Sequence, residues 1–267
     1  MKIILPDNSS RELPEGSSGY DLAKDIGPGL AKSAVAITVD GVQKDLHDEI
    51  NNDSSVSIIT IDSDEGLEIM RHTLTAQVLA RAIKNLYPKS KLAIGPTIED
   101  GFYYDVESEE VISSDDLNKI EEEMKKIIKS KSSITKKLVS RSQAIKVFKS
   151  NKEPYKEIII NESDQDDNFQ LYYQDDEKFV DLCRGPHLPN LGFIGSFKLT
   201  KVSGAYWKGD SNNSMLTRIY GTAFNNEKDL QQHLDNLEEA LKRDHRKLGK
   251  EMDLFHFQDE APGMVFW

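Results

Sequence analysis

A single cysteine, Cys183, serves the whole chain of 267 residues, so no internal disulfide can form and a cross-linked, secreted framework is excluded. Long apolar runs are missing too. No stretch approaches the roughly 18 consecutive apolar residues that a membrane helix needs. The N-terminus, MKIILPDNSS, reaches proline and charge too soon for a signal peptide. These absences point to the cytoplasm. Positive charge is also short, with 34 Lys and Arg against 46 Asp and Glu, and a net charge of -12 argues against non-specific attraction of nucleic acid by the chain as a whole. There is no internal repeat and no low-complexity tract. What remains is globular, because 37% hydrophobic and 30% charged residues supply packed cores, and the length suits two or three domains of about 100–150 residues.

Charge is unevenly placed. Lys125 to Lys152 holds ten Lys or Arg and no acid, whereas NESDQDDNFQLYYQDDE soon afterwards carries seven acids. The basic run reads either as the solvated surface of a helix and strand or as a phosphate-facing patch that includes Lys136, Lys137 and Arg141.

KIIL, a PDNSS turn and RELP predict a hairpin, followed by a serine-capped helix near Leu22 and two β-branched strands, SAVAITVDG and SVSIITI. The order β, β, α, β, β within residues 1–62 suggests a ubiquitin-like β-grasp unit. From Asp62 or Ser63 as cap, one helix is expected to run to Pro88. Leu67, Met70, Leu74, Val78 and Ala82 share one face and Ile69, Ala76, Ala80 and Ile83 the other, so the helix is buried. Strands at KLAIG, GFYYDVE, FQLYYQ, KFVDLC, FKLTKVSGAYWKG and MLTRIYGTAF, with a helix over 114–129, predict an α+β domain around one sheet over residues 63–225. Leu230, Leu234, Leu237, Leu241 and Leu248 predict one long, one-sided helix over 226–252. Residues 253–267 stop at Phe266 and Trp267 without cap or turn, and read as the cut start of another domain.

VDLCRGPH sets Cys183 four residues before His187. The pair is half a zinc site, part of a hydrolytic site, or packing. Of the other histidines, only His72 falls in the same expected domain, and Ala76 stands where a His-x3-His pair would place its second imidazole. An acid, a thiol, an arginine and an imidazole around Gly and Pro are unusually polar for a strand end.

GFYYD, DLCRGPH, GAYWKGDSNN, RIYGTAF, KRDHRKLGKEMDLF and EAPGMVFW, in this order, resemble the N-terminal half of the bacterial threonyl-tRNA synthetase family. The resemblance implies an α+β architecture: a TGS β-grasp domain, an editing domain shared with alanyl-tRNA synthetases, a linker helix, and the first residues of a class II catalytic domain. It further implies an ATP-dependent ligase that joins threonine to tRNA(Thr), with ATP, Mg and Zn bound elsewhere in the full-length enzyme and no metal or other cofactor here. Dimerisation would run through the catalytic domain, leaving this chain a monomer. Editing answers an arithmetic problem. Serine lacks one methyl of threonine, and one methyl gives only about 10–200-fold discrimination, so Ser-tRNA(Thr) must be hydrolysed in a second pocket.

Carried over position by position, the family's Cys-x3-His is Cys183 and His187, while its His-x3-His falls on Thr73 and Gln77. On an ideal helix those two lie about 40° apart, whereas His72 is about 140° from Gln77 and is expected to face elsewhere. Thr and Gln orient water but take no proton near neutrality. The expected site therefore uses His187, Asp181 and Lys156 to position water with help from a ribose hydroxyl. Tyr104 would line the pocket and Cys183 would form its wall. The alternative is a tRNA-binding module whose cleft no longer hydrolyses.

Overall fold

The hairpin at the start forms as the turn residues dictate: Lys2–Ile4 (β1) and Ser10–Glu12 (β2) pair antiparallel, with Asn8 left-handed between them. These and the following elements come from a computed structural model that describes residues 1–174, 177, 179–258, 260–261 and 263–266, without the side chains of Arg246 and Lys250. Asp175 and Asp176 of the acidic run, Lys178 of the KFVDLC strand and the terminal Trp267 lie outside the described residues. Ser18 closes a capping box with Asp21 at the head of Gly19–Ile26 (α1), and Pro28–Ser33 (α2) follows. Ala34–Val39 (β3) then turns at Asp40 and Gly41, both at positive φ, into Val42–Asp45 (β4). Ser54–Thr60 (β5) completes a sheet of order β2-β1-β5-β3-β4 around Ile3, Leu22, Ile37 and Val56.

The strand β4 is one more than the expected β, β, α, β, β. Asp-Gly is a strong hairpin signal, but the polar VQKD behind it lacks the alternation that marks a half-buried strand.

Ser63 caps Asp64–Thr73 (α3), which runs into a π turn over Leu74–Leu79 and then Ala80–Leu86 (α4). Within that turn the Ala80 amide reaches back five residues to the Thr75 carbonyl. The expected helix is thus one rod with a widened middle, and a face followed at 100° per residue does not carry across it. Apolar residues on two sides bury it as anticipated, with Met70, Leu74, Val78, Ala80, Ala82 and Ile83 all solvent-excluded.

Next come Lys91–Leu92 (β6), Thr97–Ile98 (β7), Gly101–Glu107 (β8), Leu117–Lys129 (α5), Ile134–Val139 (β9), Arg141–Ser150 (α6), Pro154–Glu162 (α7), Phe169–Gln174 (β10), Val180–Leu182 (β11), Ser196–Tyr206 (β12) and Met215–Phe224 (β13). They make two sheets, not the single one expected: β12-β13-β8-β6 with β7 on β8, and a separate β11-β10-β9. The small sheet stands apart because α6 and α7 pack on it with their own core of Ala144, Phe148, Ile160, Phe169 and Leu171.

The chain divides into two compact units, Met1–Asn225 and Asn226–Trp267. In the second, Glu227–Lys242 (α8) ends at Arg243, whose φ and ψ of -96° and 10° leave the helix, and His245–Glu251 (α9) begins after Asp244. The single helix expected over 226–252 is therefore two. The Asp244 carbonyl accepts the amides of Lys247 and Leu248 and starts the second piece. Among the described residues no helix is long and apolar enough to cross a membrane.

Candidate active site

The end of α3 presents His72, and the π turn Ala76, to a cleft of about 700 Å³. Gly95, Pro96, Lys156, Asp181 and Cys183 form its other walls, and Glu162, Ser163, Asp164 and Gln165 its lip. Strand β11 delivers Asp181 and the residues after it deliver Cys183, while α7 delivers Lys156. The Lys156 ammonium and the Asp181 carboxylate meet at 2.5 Å with almost no exposure. Burial pushes the Asp181 carboxyl above its ordinary range, and the ammonium opposes that shift.

His72 holds a defined tautomer. Its Nδ1 lies 3.2 Å from the Pro186 carbonyl, which can only accept, so Nδ1 carries the proton and Nε2 presents its lone pair. Cys183 Sγ stands 2.9 Å from that Nε2, with the thiol as donor. Burial lowers the His72 imidazole below its ordinary value, and the Pro186 carbonyl works against that shift. It is thus a neutral base near pH 7.

His187 lies behind this edge. Its ring stacks on His72 at 4.5 Å and meets Tyr172 edge-on at 4.4 Å. Its Nδ1 is 3.2 Å from Thr73 Oγ1, and its buried Nε2 has no partner. Burial lowers this imidazole too, with Cys183 opposing the shift.

Several expectations need correction. His72 does not face elsewhere: the separation of about 140° from Gln77 assumes an unbroken α-helix, and His72 is on the side that opens to the cleft. The π turn re-phases the residues before it, so an ideal-helix angle does not give the facing of His72. Thr73 and Gln77 are wholly buried and line no cleft. Thr73 Oγ1 accepts the Leu188 amide, and the Gln77 carbonyl accepts from Gln174 Nε2 at 2.7 Å. Tyr104 also lies beneath the floor instead of lining it. A Cβ on Gly95 would sit 2.2 Å from the Tyr104 ring, so only glycine lets floor and ring approach this closely. The sequence marks His72 as the histidine of the same expected domain, but only the π turn turns it to the cleft.

The basic patch resolves differently as well. Lys136 is half-buried between Asp45 and Asp48 at 2.8 and 2.5 Å, and Lys137 pairs with Glu177. Arg141 donates to the carbonyls of Ile160, Asn161, Ser163 and Gln165 and so clamps the cleft's lip. Lys136 and Arg141 are engaged inside the protein, whereas Lys137 is exposed although paired, and Lys146, Lys149 and Lys152 are exposed as well.

Among the described residues, His72, Cys183 and His187 form the one cluster whose ligand atoms lie within 4.8 Å of one another. As they stand, the two rings lie 23° from parallel and the His72 lone pair is taken by the Cys183 thiol.

A family model described as the threonyl and alanyl tRNA synthetase second additional domain matches residues 170–220, which include Asp181, Cys183 and His187. A TGS domain model matches residues 1–60. Threonine–tRNA ligases of Hahella chejuensis and Saccharophagus degradans are each 52% identical over 265 residues, 99% of this chain. That of Prochlorococcus marinus is 49% identical over the same length. The chain spans 41% of the length of these relatives.

Proposed function

We propose that this chain is the TGS and editing portion of a threonine–tRNA ligase, and that its cleft hydrolyses the ester of Ser-tRNA(Thr). Residues 1–62 would be the TGS domain, 63–225 the editing domain, and 226–267 the connection toward the catalytic part. The complete enzyme would join threonine to tRNA(Thr) with ATP, Mg and Zn, in the cytoplasm and as a dimer. The proposed hydrolysis uses none of those groups.

The observation that carries this reading is an oriented, neutral imidazole beside a buried Lys–Asp pair at the wall of one cleft. Water adds its oxygen to the ester carbonyl carbon as its proton passes to His72 Nε2, from which the weakly bonded thiol withdraws. The Lys156 ammonium stabilises the oxyanion that develops. When the carbonyl reforms, the C–O bond to the ribose breaks, and the leaving oxygen takes the proton back from His72. Serine and uncharged tRNA result. Asp181 holds Lys156 in place, and His187 holds the His72 ring plane. Cys183 serves as wall and hydrogen-bond donor.

Deacylation of Ser-tRNA(Thr) by this chain tests the assignment. Serine release that survives EDTA and falls about 10²–10⁴-fold in His72→Ala is expected. Release no faster than in buffer would leave only an RNA-binding module, the reading that the loss of imidazoles at Thr73 and Gln77 favours.

A further inference from the structure

Asp45 ends the unforeseen strand β4, in the first sheet, yet its side chain is spent on the other module. Oδ1 accepts the His187 backbone amide at 2.8 Å. Oδ2 accepts the Tyr172 hydroxyl at 2.8 Å and the Lys136 ammonium at 2.8 Å. Tyr172 in turn lays its ring edge-on against His187. One carboxylate therefore fixes the backbone of His187, the wall beside its ring, and the strand that carries Lys136. The group is 14% exposed, so these are charge-assisted bonds largely out of water.

From this geometry we infer that Asp45 is a positioning residue for the editing centre: the TGS module sets His187, and through the stacked rings His72, in register with the cleft. The inference rests on the hydrolytic reading above but concerns a different module. A misplacement of about 1 Å in a reacting group can cost about 10²-fold in rate, which is the scale at which a remote anchor of this kind acts. Nearby Asp48 supplies the control. It also pairs with Lys136 and accepts the Asp45 backbone amide at 3.2 Å, but it makes no hydrogen bond to His187 or Tyr172 among the described residues. It therefore helps to dock the modules without holding the centre.

The test compares Asp45→Ala, Asp45→Asn and Asp48→Ala in the full chain, reading Ser-tRNA(Thr) deacylation and the imidazole NMR signals of His72 and His187. Asp45→Ala should lower kcat at least tenfold with KM within about twofold, and should move both histidines' signals. Asp45→Asn keeps an acceptor oxygen for the His187 amide but turns an NH2 toward Tyr172 and Lys136, so it should recover part of the rate lost in Asp45→Ala. Asp48→Ala removes one Lys136 contact and one backbone contact to Asp45 but no bond to His187 or Tyr172, and should change both readouts clearly less than Asp45→Ala. Equal losses from Asp45→Ala and Asp48→Ala, or unmoved imidazole signals in a folded Asp45→Ala, overturn the inference. If the unaltered chain releases no serine, the hydrolytic reading fails by itself, and the NMR comparison still decides whether Asp45 sets the two rings.

Discussion

Replacing Lys156 by Met strands the Asp181 carboxylate at the wall of the cleft, with the adjacent Leu182 amide as its remaining described donor. In the folded protein Lys156 is 4% and Asp181 1% exposed at the side chain, so water does not screen the loss. Breaking a buried pair from one side costs about 3–5 kcal/mol, a large part of the stability of an ordinary domain. The cost depends on pH. Burial already raises the Asp181 carboxyl, and removal of the ammonium raises it further. A group whose folded value lies above its unfolded one loses stability as pH rises, so the variant's deficit is largest near neutrality and shrinks toward about pH 4. Adding Asp181→Asn removes the stranded charge and should recover about 2 kcal/mol or more, giving a coupling term that neither single change explains. Urea unfolding can be followed through Trp207, which packs on Tyr155 of the same helix α7 at 4.9 Å, in a Trp267→Phe background that removes the only other tryptophan. A Lys156→Met variant that loses less than about 1 kcal/mol at neutral pH, with no pH dependence and no coupling to Asp181, would refute the claim that this pair is buried and mutually dependent.

The paired imidazoles make an opposite demand on pH. Burial lowers both His72 and His187, so the stability they require is present above the unfolded value of about 6.5 and is lost as pH falls through it, and replacing both by Gln should flatten the decline in melting temperature between about pH 7.5 and 5.5. An unchanged slope would place the acid sensitivity elsewhere. For the RNA surface, Lys146→Ala, Lys149→Ala and Lys152→Ala together should weaken tRNA(Thr) binding and reduce the salt slope by up to about one unit per lost phosphate contact. Filter binding from low to high salt reads this directly, and unchanged affinity at low salt would remove the exposed lysines from the interface.

The order of elements was legible wherever local chemistry is decisive. Ser18 and Ser63 cap helices because their hydroxyls satisfy free amides, and the two-faced apolar pattern of residues 67–83 predicts a buried helix whatever packs on it. One cleft wall gathers Cys183, Asp181 and Lys156, but a Cys-x3-His at a strand end constrains only its own neighbourhood and says nothing of Lys156 on α7. What stayed hidden depends on phase and on distance along the chain. A π turn adds no residue type that marks it, yet it decides whether His72 or Thr73 opens to the cleft, and so whether the centre holds a base. The division into two sheets follows from pairing β9 with β10, whose partners Lys136 and Tyr172 are far apart in sequence and lack a shared apolar pattern. The partners of Arg141 and Lys136 are hidden for a related reason: a run of like charge reads as a surface, while the carbonyls and carboxylates that absorb it lie 19 to 24 residues away for Arg141 and 88 away for the Lys136–Asp48 contact. Charge density along the chain therefore says where counter-charge is needed, and only the fold says whether RNA or the protein supplies it.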